Sequence, residues 1–197
     1  TNSSYQDLAR AASVAEQALS AGLTPKASLI VSPGSEQIRL TAERDGILPT
    51  LRKAGAIVMT NACGPCIGQW KRKTDDPTHR NSIVTSFNRN FAKRADGNPN
   101  THAFIVSPEI AVATAFGQAL GFNPEIDTIV KNDGSAFKFN LPSGDELPKE
   151  GFMTSTDGYI TPVPGSPAPV INPCSERLQI LSPFPAFYHA PPLCQAI

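Results

Sequence analysis

The sequence has no surplus of charge of either sign. Its 17 lysines and arginines balance 17 aspartates and glutamates, so no global field argues for nucleic acid or a membrane surface as a partner. No stretch approaches the roughly 20 apolar residues a membrane helix needs, and no charged-then-apolar leader can be read as a targeting segment. Cysteine is scarce, and four in 197 residues do not make a disulfide scaffold. There is no internal repeat. What is left is one chain, long enough for a single domain with a sizeable core.

Two of the four cysteines stand together. Asn61-Ala62-Cys63-Gly64-Pro65-Cys66-Ile67-Gly68-Gln69-Trp70 follows the apolar run Ala56-Ile57-Val58-Met59, which reads as a short buried parallel strand. Gly64 and Pro65 force a sharp turn, so both sulfurs can face one object beyond the strand's carboxyl end, where ligands sit in α/β sheets. Three readings of the pair compete: a redox dithiol, thiolate ligands for zinc or an iron–sulfur cluster, and two buried cysteines acting as small hydrophobes. A thioredoxin-like dithiol normally has an aromatic just before its first cysteine, where this chain has Asn61-Ala62.

Basic residues gather just downstream. Residues 71–94 hold Lys71, Arg72, Lys73, Arg80, Arg89, Lys93 and Arg94 against Asp75 and Asp76, a local surplus suited to steering an anion. Lys71 to Lys73 read as a solvated helix end or loop. Ser86 to Arg94 is turn-like after a second short strand, Ser82 to Thr85. Arg89 and Arg94 can converge there, and the planar fork of arginine bonds a carboxylate through two parallel N–H groups.

The remainder reads as alternating helices and strands. Ser4 and Asp7 form a capping-box pattern opening a helix with Leu8, Ala11, Ala12, Ala15, Ala18 and Leu19 on one face, stopped at Gly22. A strand is expected over 27–31, a helix capped by Ser35, a short helix over 47–54, a strand over 103–106 and a helix from Pro108 to Leu120. Regular structure is expected to thin from Pro124, because 11 of the 19 prolines lie between Pro142 and Pro192 and proline breaks helices and central strands. Arg177 to Leu181 is an apolar island able to add a strand. The expected architecture is α/β: a three-layer α/β/α domain with a mostly parallel sheet over 1–140, a Pro-rich irregular extension over 141–184 and a divergent tail over 185–197.

Thr1 to Tyr5, Ser32 to Arg39, Asn61 to Trp70, Ser86 to Arg94 and Thr101 to Phe104, in this order and spacing, resemble the aconitase family, with similarity running to about Phe184. The resemblance implies an iron–sulfur hydro-lyase that interconverts citrate and isocitrate through cis-aconitate in the mitochondrial matrix, with a homocitrate-acting paralogue as the alternative substrate class. It implies that Cys63 and Cys66 bind a four-iron–four-sulfur cluster, that Arg89 and Arg94 bind the carboxylates of a tricarboxylate substrate, and that Asn88 lies in the same site. The third cysteine ligand of the family stands immediately before the segment matching Thr1, and the serine base of the family has no counterpart here. The chain is therefore expected to be a piece of a longer enzyme, with no catalytic residue of its own, and to be inactive without the missing domains. The rival readings are a dithiol oxidoreductase and a non-catalytic fragment.

Overall fold

The computed structural model describes residues 4–61, 65–68, 70–72, 76, 78–87, 91–117, 119–156, 159–165, 169–179, 181–182 and 184–185. Two units are distinguished, Thr1–Thr156 and Asp157–Ile197.

The first unit is built on helix α1, Tyr5–Ser20. The Ser4 hydroxyl accepts the Asp7 amide at 3.0 Å, which satisfies one of the amides a helix start leaves unpaired. At the other end Gly22 lies at φ 73, and the amides of Gly22 and Leu23 return to the carbonyls of Leu19 and Ala18. This is the two-bond closure that a left-handed residue permits. The buried face carries Leu8, Ala11, Ala12, Val14, Ala15 and Ala18. Its small side chains let α1 lie close against α3 (Ile47–Lys53) and α4 (Pro108–Gly117). Helix α2, Glu36–Arg44, is capped by the Ser35 hydroxyl accepting the Ile38 amide at 3.1 Å.

The strands are short and pair in twos. β1 (Ile30–Val31) runs parallel to β2 (Ile57–Val58), and β3 (Asn81–Thr85) runs parallel to β4 (Thr101–Ile105) in register from Asn81↔Thr101 to Thr85↔Ile105. The expected α/β class with parallel pairing is therefore met. Among the described residues the pairing is divided into separate two-stranded sheets. The loops leaving the carboxyl ends of β1, β2 and β3 bring Ser32, Asn61, Cys66 and Phe87 to one cavity of about 590 Å³.

One sequence expectation needs correcting. Helix α4 spans Pro108–Gly117 and does not reach Leu120, and the Phe122 ring lies so close to Gly117 that a Cβ there would meet it at 2.4 Å. Past Pro124 regular structure thins, as expected, to one short hairpin among the described residues. β5 (Ile129–Val130) and β6 (Ala136–Phe137) form an antiparallel hairpin around Asp133-Gly134, with Gly134 at φ 81. The hairpin delivers Phe139 to the core, where its ring meets Phe137, Phe122 and Phe116 edge-on at 4.9–6.5 Å. The chain then runs along α1 and α2 without regular structure. It is tied by Asn140 to Gln17, Ser143 to Ser13, Gly151 to Arg44 and Met153 to Thr41.

The second unit shows neither helix nor strand among its described residues, including the described part of the apolar island at 177–181. Its local order is a turn in which the Ser175 amide donates to the Asn172 carbonyl at 2.9 Å.

Leu48 and Leu51 on α3 are fully buried. Replacing Leu48 by Ala should lower unfolding free energy by about 2–5 kcal/mol through lost transfer and a residual cavity. Urea titration with an unchanged slope is the check, and a loss under about 1 kcal/mol would show that the site collapses without cost.

Candidate functional site

The cysteine turn is held at its entrance. Asn61, just past β2, donates its side-chain amide to Glu36 Oε2 at 2.8 Å. Glu36 opens α2, and its two oxygens also take the forked guanidinium of Arg39 at 2.9 and 2.5 Å. These partners, Arg39 first and Asn61 second, hold the Glu36 carboxyl down at about 2. The segment after β1 and the segment after β2 are thus joined through one ionised carboxylate.

From Pro65 to Ile67 the chain makes a single tight helical turn that buries Cys66 and leaves Ile67 half exposed. Gly68 follows at φ 77, and a Cβ there would lie 2.8 Å from the Arg94 carbonyl oxygen. Only a glycine allows the arginine loop to approach the turn so closely.

Arg94 is the centre of that approach. Its side chain is buried, its Nε donates to the Cys66 carbonyl at 2.6 Å, and a terminal nitrogen donates to Cys66 Sγ at 3.3 Å. The guanidinium also lies over the Phe87 and Phe91 rings, 5.8 and 5.5 Å from their centroids. Rings at this range offer their negative faces to the cation. The preceding Lys93 lies at φ 68, the one non-glycine residue at positive φ among the described residues.

Of the residues expected at the site, Cys66 and Arg94 are brought into direct contact. Cys63, Asn88 and Arg89 lie outside the described residues. Arg72 escapes a reading of the sequence. Its neighbours suggest a solvated stretch, but one terminal nitrogen reaches Asp96 Oδ2 at 3.0 Å and Thr101 Oγ1 at 3.3 Å, and also contacts Asn81 Oδ1. The Thr101 hydroxyl donates to the same Asp96 oxygen at 2.8 Å. Arg72 and Asp96 are 24 positions apart, so no local periodicity announces them. Asn61 and Glu36 are likewise legible in sequence as neither a pair nor a tether.

The donor chemistry at Cys66 suits an iron–sulfur ligand. A thiolate is the soft donor such clusters take, and an N–H directed at its sulfur favours negative charge there. Among the described residues no group of three or more His, Cys, Asp or Glu side chains converges as a metal site.

A family model described as Aconitase family (aconitate hydratase) matches residues 1–117. The mitochondrial aconitate hydratase of Gracilaria gracilis is 52% identical over 95% of this chain and 24% of its own length. A probable mitochondrial aconitate hydratase of Dictyostelium discoideum is 50% identical over 93% of this chain and 24% of its own. The aconitase–ribosomal protein bL21m fusion protein of Schizosaccharomyces pombe is 52% identical over 93% of this chain and 21% of its own. The chain spans about a quarter of the length of the curated relatives it matches.

The Glu36 tether carries a pH signature. Its carboxyl, with a folded value of about 2 against an ordinary 4.5, contributes stability above about pH 4.5 that is lost as pH falls toward 2. Carbon-13 NMR of the Glu36 carboxyl should titrate near 2, and Asn61→Ala should move the midpoint upward. A midpoint at the ordinary value would rule out the ionic tether.

Proposed function

The chain belongs to the aconitase family, and we propose that it forms the part of a citrate–isocitrate hydro-lyase that holds a four-iron–four-sulfur cluster and orients a tricarboxylate. The observation that carries the proposal is the buried Arg94 guanidinium set against Cys66 Sγ at 3.3 Å, which puts a fixed cation beside a soft donor, as a site for a cluster and an anion would require.

In this reading Cys63 and Cys66 hold the cluster, which when bound supplies a Lewis-acidic iron for a substrate hydroxyl and carboxylate. Arg89 and Arg94 orient carboxylates through charge-assisted hydrogen bonds, so that the C–H to be broken faces its base. Asn88 hydrogen-bonds substrate or water beside the cluster. The proton acceptor and the third cysteine belong to the remaining length of the enzyme, which in the relatives is about three quarters of the chain. The mitochondrial names of those relatives support a mitochondrial matrix setting. The names of the relatives, aconitate hydratases, favour this reading over a dithiol exchange role.

The test uses the protein that carries these residues, reconstituted with iron and sulfide without oxygen. Cys66→Ser should abolish the visible absorption of the cluster while leaving helix content intact. Arg94→Lys, which keeps charge but loses the fork, should lower kcat/KM by roughly 10- to 150-fold, the equivalent of about 1.5–3 kcal/mol. Full iron content in Cys66→Ser, or unchanged kinetics in Arg94→Lys, would overturn the proposal. Side-by-side rates on citrate and homocitrate assign the substrate.

A further inference from the structure

We propose that Asp96, acting through Arg72, is a positioning residue that sets the register of the arginine loop on the cysteine turn and so places the Arg94 guanidinium against Cys66. The inference rests on the reading of Cys66 as a cluster ligand.

Two segments are fastened to one another at three levels. At the first, the Arg94 guanidinium grips the carbonyl and sulfur of Cys66. Gly68 then passes under the carbonyls of Lys93 and Arg94 with no room for a Cβ. At the third, Arg72 pairs with Asp96 at 3.0 Å. The spacing matters: Asp96 is two residues beyond Arg94, and Arg72 is six beyond Cys66.

The third fastening is itself tied to the sheet. Arg72 also contacts Asn81 and Thr101, which face each other as the first residues of β3 and β4. The other oxygen of Asp96 accepts the Asn98 amide at 3.0 Å, so both oxygens are engaged and the carboxylate, 3% exposed, points one way. A buried carboxylate is tolerated only where it is paired and hydrogen-bonded, so the loop settles where Asp96 meets Arg72. Two backbone bonds lie within the loop, from the Arg94 amide to Phe91 and from the Gly97 amide to Lys93. They give the loop its shape but do not locate it on the turn.

The experiment begins in the iron-free protein, with amide hydrogen exchange and mass-mapped alkylation of Cys66 by iodoacetamide. Asp96→Asn and Arg72→Met should speed exchange at the Arg94 and Gly97 amides by at least about tenfold while α1 keeps its rates. Alkylation at Cys66 should rise by about fivefold or more as its burial is lost. One nitrogen of Arg72 makes all three contacts, so the lysine ammonium, with its three donors, should restore both readouts in Arg72→Lys. After cluster loading, Asp96→Asn should reproduce the change in electron paramagnetic resonance that Arg94→Lys produces, because both disturb the same N–H···S contact.

If the wild-type protein takes up no cluster, the functional reading falls while the exchange arm still reports on the register. If the cluster forms and Asp96→Asn keeps wild-type loop exchange and spectrum, the positioning role is overturned alone. Should Asp96→Asn loosen α1 as well, the Arg72→Met and Arg72→Lys pair decides on the same amides, and equal loop rates in the two overturn it.

Discussion

A charged guanidinium buried beside a thiol is the constraint on which the site depends. Taking an arginine out of water is costly unless its N–H groups are met, and Arg94 meets two of those demands with one residue, the carbonyl and the sulfur of Cys66. The aromatic faces of Phe87 and Phe91 supply a further, softer attraction. Once Arg94 is satisfied in this way, the cysteine turn and the arginine loop cannot move independently. The glycine at 68 and the left-handed Lys93 are then backbone conditions for that contact. An L-residue at positive φ costs on the order of 1 kcal/mol, and such strain persists where the surroundings fix the conformation.

The parallel strands explain why this contact lies where it does. β1 and β2, and β3 and β4, are each parallel, so their following loops emerge from carboxyl ends and converge on one cavity. The strands themselves are short, two to five residues, and cannot fix long loops by ladder bonds alone. Side chains anchor the loops instead, Asn61 with Glu36 at the entrance, and Arg72 with Asp96, Asn81 and Thr101 at the exit. Behind them the alanine face of α1 brings α3 and α4 close by shape.

Local chemistry accounts for what the sequence made legible. Ser4 and Ser35 cap helices because their hydroxyls satisfy amides three residues on, a relation contained within four residues. The strand before the cysteines and the tight turn from Pro65 to Ile67 are likewise local signals. What escaped is non-local. The need for glycine at 117 comes from a ring five residues further on, folding back to fill the space a Cβ would need. The hairpin after Pro124 turns at Asp133-Gly134, where the glycine takes the positive φ the turn needs. The Arg72–Asp96 pair had no signal, because a run of three basic residues reads as solvent-facing until the partner 24 positions away is placed.

The charge balance at the site changes once those partners are known. The basic excess over residues 71–94 suggests a broad field for an anion, but the charge of Arg72 is met by the buried Asp96 carboxylate. At the entrance, Glu36 is an acid near a proposed polyanion site, and its fork-on-fork pairing with Arg39 offsets the repulsion it would otherwise exert. Both pairs are close to neutral at distances beyond their own length, and salt screens what remains. An anion entering the cavity would therefore respond chiefly to cations whose donors are aimed at it, and recognition would depend on geometry more than on net field. Under the proposed function, selectivity among polycarboxylates depends on where the Arg94 guanidinium is held, and the fastenings around Gly68 hold that residue on the cysteine turn.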